Sequence, residues 1–170
     1  IDLAVGTQGS PLQMMLARGL QVDRPTGNIP LASVVQLREH PLVASVVPLS
    51  MGDAVQGFRL VGTEPAYLDM YGARLAQGRL WTKPLEAVLG AGVAESTRLG
   101  LGQSFAGAHG LGKDGDVHGS TPYTVVGTLA PCGCVLDRLV LTGTESVWAV
   151  HETHTALDDE DREALEAERE

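Results

Sequence analysis

Several residue groups in this chain have the types and spacing that chemistry would need, and each has a plainer structural role to be weighed against it. Gly90-Ala91-Gly92 sits where a short apolar run, Leu85 to Leu89, gives way to helix-forming residues. A dinucleotide fingerprint places its first two glycines at such a strand-to-helix turn, where backbone must approach a pyrophosphate. The third glycine position holds Glu95, which would crowd helix against strand and add negative charge. The turn is read as structural. Gly107 to Lys113 matches the first seven positions of a phosphate-binding loop, GxxxxGK, but Asp114 follows in place of Ser or Thr. The hydroxyl that would hold magnesium is missing, a carboxylate would repel phosphate, and no helix pattern follows.

Other groupings fall short in similar ways. Asp114-Gly115-Asp116-Val117-His118 opens like a calcium loop, yet its twelfth position is Val125, where a bidentate Glu is needed. Ser104 misses the spacing of a nucleophile elbow, and neither HExxH nor CxxC occurs. His109, His118, His151 and His154 could gather with Cys132 and Cys134 around a metal, but solvated loop histidines are the plainer reading. Cys132 and Cys134 are separated by one glycine. A free thiol pair is the first reading, with a strained or intermolecular disulfide and a metal pair as alternatives. Asp137-Arg138 reads as a structural ion pair in preference to an acid-base group.

The elements that must position these residues follow from pattern. Asp2 to Gly6 reads as a strand, Leu12 to Leu20 as a helix entered through Ser10-Pro11, and Leu31 to His40 as a one-faced helix ended by Pro41. Val43 to Leu49 reads as an edge or bulged strand around Pro48, and Gly57 to Gly62 as its neighbour. Pro65 to Tyr71 reads as a short helix capped by Thr63, and Gly72 to Trp81 as irregular or a short strand. A βαβ-like unit fills the middle: strand Leu85–Leu89, helix Val93–Leu99, an extended piece Ser104–Ala108, a polar loop from Gly107 to Thr121, and strand Tyr123–Leu129. Val135 to Leu141 reads as the last strand and Gly143 to Val150 as a helix capped by Thr144.

Composition narrows the class. The 170 residues are 44% hydrophobic and 19% charged, enough for a real core in one domain. The formal net charge of −9 is uneven: residues 152–170 hold nine acids against two bases, leaving the body near neutral. No basic stripe tracks phosphates, so no nucleic acid is expected as a partner. No apolar run approaches the length of a membrane span. Because the sequence opens at Ile1, it is expected to be a processed chain or an excised piece.

From Pro41 onward the order of elements resembles the extracytoplasmic core of MacB-type ABC transporter permeases. The features that carry the resemblance are Pro41, Val43, Pro48, Val61-Gly62-Thr63, Tyr67, Tyr71-Gly72 and Gly78-Arg79. The segments EAVLGAGVAESTRLGLGQSF and TPYTVVGTLAPCGCVLDRLVLTGTESVW are similar to later parts of that domain. The resemblance, shared with FtsX and LolC-type permeases, implies an α+β fold: a two-lobed mixed α/β domain of βαβ-like units and antiparallel hairpins. It implies a core over 1–151 and an acidic linker over 152–170 returning to the membrane, at the periplasmic face of the bacterial inner membrane. It further implies a domain without chemistry or cofactor of its own. ATP hydrolysis would reside in a cytoplasmic ATP-binding subunit, beside a second permease copy and a periplasmic partner or substrate. A free-standing extracytoplasmic binding protein is the alternative. The Cys132-Gly133-Cys134 tip and the His109–His118 loop depart from the family pattern, and the tip and the whole Gly107–Thr121 loop are expected to face a partner. His109, Lys113, Asp114, Asp116, His118, Cys132 and Cys134 are therefore expected to face the partner.

Overall fold

The computed structural model describes residues 3–7, 29–109 and 122–149. The helix expected over Leu12–Leu20, the loop residues Lys113, Asp114, Asp116 and His118, and the acidic segment 152–170 lie outside them. Helix α1 (Leu31–Glu39) ends ahead of Pro41 with His40 already extended, as the steric demand of the proline ring requires. Residues 3–6 form no strand, and Leu3 is 76% exposed. An apolar run alone does not make a strand where no ladder receives it.

A tight hairpin then sets the register of the first two strands, β1 (Ser50–Val55) and β2 (Phe58–Thr63). Gln56 and Gly57 both have positive φ, 48° and 86°, the signature of a two-residue turn whose twist matches paired strands. Pairing runs from Val55↔Phe58 back to Ser50↔Gly62, with Gly52 and Asp53 bulged opposite Leu60. The strand expected over Val43–Leu49 is thereby corrected to Ser50–Val55. Pro48 has no N–H to give a ladder, and its carbonyl instead accepts from Thr63 Oγ1 at 2.9 Å. Thr63 is thus committed to the preceding segment and does not cap α2 (Ala66–Met70), whose N-cap is Pro65.

The middle of the chain builds the βαβ unit. Strand β3 (Leu75–Gly78) is followed by β4 (Glu86–Leu89), helix α3 (Ala91–Thr97), the two-residue strands β5 (Ser104–Phe105) and β6 (Ala108–His109), and β7 (Tyr123–Leu129). β4 and β7 pair in parallel, with α3 in the crossover. The strand expected over Val135–Leu141 divides in two: a 3-10 helix at Val135–Arg138, then β8 (Leu139–Gly143). Helix α4 covers 144–149, so Thr144 lies inside it and does not cap it.

The result is an open mixed sheet of eight strands in the order β3-β7-β4-β8-β2-β1-β6, with β5 also on β7. β2 runs parallel to β8, and β8 antiparallel to β4. The two hydrophobic clusters are the two faces of this sheet, because alternate residues of a strand point to opposite sides. Leu60, Ala87, Leu89, Val125 and Val140 meet Val93 of α3 and Val147 of α4 on one face. Val61, Val88, Leu139 and Leu141 meet Tyr67 and Leu68 of α2, Trp81 and Leu136 on the other. β7 changes sides part-way. Val125 pairs with Ala87 but Gly127 pairs with Val88, so the extra residue Val126 shifts the alternation and sends Leu129 to the second face.

The turn between β4 and α3 is where the two faces are joined most closely. A Cβ on Gly90 would stand 2.0 Å from the Leu136 carbonyl oxygen, and one on Gly92 would stand 2.9 Å from that of Asp137. The glycines let the chain approach its own 3-10 helix, and Gly90 N–H donates to Leu139 O at 2.9 Å. The site of closest approach is filled by protein backbone, in agreement with the structural reading of this motif. A Gly90→Ala substitution is expected to cost about 1–3 kcal/mol or more through overpacking, read as a lowered midpoint in urea unfolding.

Candidate functional site

The Cys132-Gly133-Cys134 tip is held by one carboxylate. Asp137, in the 3-10 helix that follows the tip, accepts from Cys132 N–H at 3.0 Å and from Gly133 N–H at 2.8 Å. Its own N–H donates to the Cys134 carbonyl at 3.2 Å. Gly133 takes the left-handed conformation, φ 64°, that lets the chain fold back onto the carboxylate. Cys132 and Cys134 are joined by a disulfide, which corrects the reading of a free thiol pair. Both pack, half-buried, against the second face of the sheet beside Val135, while Gly133 is exposed. Asp137 is thus occupied by the tip, and its expected ion pair with Arg138 does not form. Arg38 pairs with Glu64, and Arg79 with Glu86.

Of the other residues expected to face a partner, His109 lies on the edge strand β6, opposite Asp53 of β1. Lys113, Asp114, Asp116 and His118 lie outside the described residues. Among the described residues no three His, Cys, Asp or Glu side chains are grouped to hold a metal ion. Beneath β6, Asp53 is buried close to Gly107, where a Cβ would meet its Oδ2 at 2.7 Å. Tyr123 stacks on Phe105 with centroids 5.5 Å apart, and burial followed by the Asp53 charge pushes its phenol above the ordinary range.

Two fastenings were not legible from motif. Arg79 holds Glu86 in a two-pronged pair, Nη1 to Oε2 at 2.7 Å and Nη2 to Oε1 at 2.5 Å, while Thr82 N–H donates to Oε2 at 2.8 Å. The side-chain bonds from Arg79, then the Thr82 N–H, bring the Glu86 carboxyl down to about 2 against an opposing desolvation. The second fastening joins α4 to the start of β4. Leu85 has a left-handed φ of 65°, an unfavourable conformation for a non-glycine residue. Its N–H donates to Ser146 Oγ at 2.9 Å. The Ser146 and Thr142 hydroxyls share a bond of 2.9 Å, and Thr142 Oγ1 donates to the Glu86 carbonyl at 2.7 Å. Ser146 is fully buried, so a serine in an amphipathic helix proves to be an internal anchor.

The motif residues that carried the resemblance have structural duties as well. Val61 is fully buried, and a Cβ at Gly62 would meet Val147 Cγ2 at 2.7 Å. Tyr67 and Tyr71 meet edge-to-face at 5.4 Å on the second sheet face. Arg79 forms the Glu86 clamp. They specify the fold, and none of them gathers into a catalytic constellation.

Two outcomes follow from these bonds. Asp137→Ala leaves two tip N–H groups without their acceptor and is expected to cost about 1–3 kcal/mol, with faster amide exchange at Cys132 and Gly133. The Glu86 carboxyl is depressed in the folded state, so its contribution is complete above about pH 4.5 and is lost as pH falls through about 2. The stability difference between the native chain and Glu86→Gln should therefore shrink between pH 5 and about 2, as measured by urea unfolding at each pH.

Comparison with known proteins places this architecture. Residues 4–168 match the family described as the MacB-like periplasmic core domain. Among solved structures, the periplasmic region of MacB from Actinobacillus actinomycetemcomitans is similar at 20% identity with a TM-score of 0.53, over 76% of this chain and 62% of that one. The extracellular domain of the noncanonic ABC-type transporter YknZ from Gram-positive bacteria aligns at 16% identity with a TM-score of 0.49, over 69% of this chain and 63% of that one. The chain thus spans less than two thirds of the length of either structure. No curated protein matches the sequence. The family match runs through almost the whole chain, and the sheet is that of the MacB region: this chain belongs to the MacB-like periplasmic core domain family, the extracytoplasmic domain of ABC-type permeases.

Proposed function

We propose that this domain is a non-catalytic transmission element of an ABC permease. It couples ATP-driven movement of the membrane helices to a partner or substrate outside the membrane, in an export, efflux or lipoprotein-releasing system. The observation that carries this reading is the family match over residues 4–168. The buried bonding of α4 to β4 supports it. α4 is the last described element before the C-terminal segment, and Ser146, Thr142 and Val147 tie it to the centre of the sheet. A displacement arriving through that segment is passed to strands that cannot deform singly, because packed interiors transmit strain. ATP hydrolysis belongs to a separate cytoplasmic subunit, and the permease works beside a second copy of itself. Residues 1–151 act as the core and 152–170 as the link back to the membrane. The Cys132–Cys134 tip and the loop between β6 and β7 face the partner.

Two measurements test this. The parent gene is expected to encode one apolar segment of about 20 residues before this region and three after it. A stop codon behind a cleavable signal peptide would instead indicate a free-standing binding protein. In the full permease, deletion of residues 110–118 is expected to leave folding intact and abolish transport. The deletion stops short of Ala108 and His109, because these pair with Ala54 and Asp53. Normal transport by the folded deletion variant would remove the loop from the coupling path.

A further inference from the structure

The Cys132–Cys134 disulfide closes a ring across a single intervening residue. Such a crosslink restrains the unfolded chain little, because the loop-closure entropy it removes grows with the number of residues enclosed. The tip is also held independently of it, by the bonds from Cys132 N–H and Gly133 N–H to the Asp137 carboxylate and from Asp137 N–H to the Cys134 carbonyl. Cys132 and Cys134 are half-buried at a surface tip on either side of an exposed glycine. A bond so placed contributes little to folding and remains open to chemistry.

We propose that Cys132-Gly133-Cys134 is a thiol–disulfide exchange site, opened by a dithiol reductant and closed again while the surrounding fold persists. A thiolate of the reductant attacks one sulfur, the S–S bond breaks, and its electron pair leaves on the other sulfur, which takes up a proton. The second thiolate of the reductant then attacks the mixed disulfide, closes the reductant's own disulfide and releases the remaining cysteine, which takes up a second proton. Two electrons and two protons pass from dithiol to protein, and oxidation reverses the sequence.

Asp137 sets the order of these events as a positioning residue. Its Oδ1 lies 3.3 Å from Cys132 Sγ. During exchange, negative charge collects on the attacking and departing sulfurs and least on the central one. The carboxylate therefore favours Cys132 as the central sulfur and Cys134 as the one that leaves. Once released, the Cys132 thiol has an acceptor in place at Asp137.

The experiment uses the whole chain without denaturant. Dithiothreitol followed by alkylation is expected to label both cysteines while the circular dichroism spectrum stays unchanged and the urea midpoint falls only slightly. A Cys132→Ser, Cys134→Ser double variant should show the same slight fall. Resistance to reduction until urea unfolds the chain, or loss of the fold on reduction or in the double variant, would overturn the proposal. Glutathione added with iodoacetamide then identifies the attacked sulfur. Peptide mass spectrometry should find glutathione on Cys132 in about tenfold excess over Cys134, the effect of about one pKa unit of charge repulsion. Asp137→Asn should bring the ratio towards one. An even ratio in the native chain, or one unchanged in Asp137→Asn, would overturn the role of Asp137. All of these readings are independent of any transport function.

Discussion

Burial of β4 and β8 on both faces is the constraint on which the rest of this domain depends. Ala87, Val88 and Leu89 are fully buried in succession, as are Val140 and Leu141. A strand covered on both sides must be apolar at consecutive positions, and it needs a layer of side chains above and below. Three helices and the Trp81 segment supply those layers. Without α2 and Leu136 on one face and α3 and α4 on the other, the central strands would present apolar surface to water in two directions. Each fully buried leucine or valine contributes about 1.5–3 kcal/mol, so the centre of the sheet outweighs its edges. The short strand β3, exposed along its length, adds ladder bonds but little apolar area.

The close approach at Gly90 carries that constraint outward to the surface. Because β4 turns directly into α3 against the backbone of Leu136 and Asp137, the 3-10 helix is held by the core from beneath. Asp137 in turn holds the Cys132-Gly133-Cys134 tip from behind. A surface feature is thereby tied to the central strand through one layer of contacts. Such a tip keeps its shape as long as the sheet beneath it does. The same dependence holds at the opposite end of β4, where the left-handed Leu85 is kept in place by Ser146 and the Arg79–Glu86 clamp closes the loop next to it.

This arrangement explains why the residues of the family motif are spent on structure. Tyr67 and Tyr71 pack edge to face, Gly62 makes room for Val147, and Arg79 clamps Glu86. Loops vary most readily where they do not enter the core, and the disulfide tip, with Gly133 exposed, is such a place. The fold beneath it is that of the family.

Local chemistry made much of the fold legible. The prolines at 41 and 65 and the β-branched run at Tyr123–Leu129 act over a few residues, and the helices and strand they delimit stand where sequence puts them. The limits of the structural reading at Gly90 were legible too, since Glu95 rules out the third glycine. What sequence could not decide depends on partners distant along the chain. Val43–Leu49 has strand composition, yet pairing begins at Ser50, because the ladder is set by the hairpin turn and by Thr63 reaching back to Pro48. Val135–Arg138 looks extended, yet it coils, because Asp137 finds its acceptor role at Cys132 and Gly133. The disulfide state, the reach of Ser146 to Leu85 and the Arg79–Glu86 clamp were likewise settled only in three dimensions. Backbone preference is local and can be read from neighbouring residues. Hydrogen-bond partnership and burial are long-range, and only the closed sheet brings those atoms together.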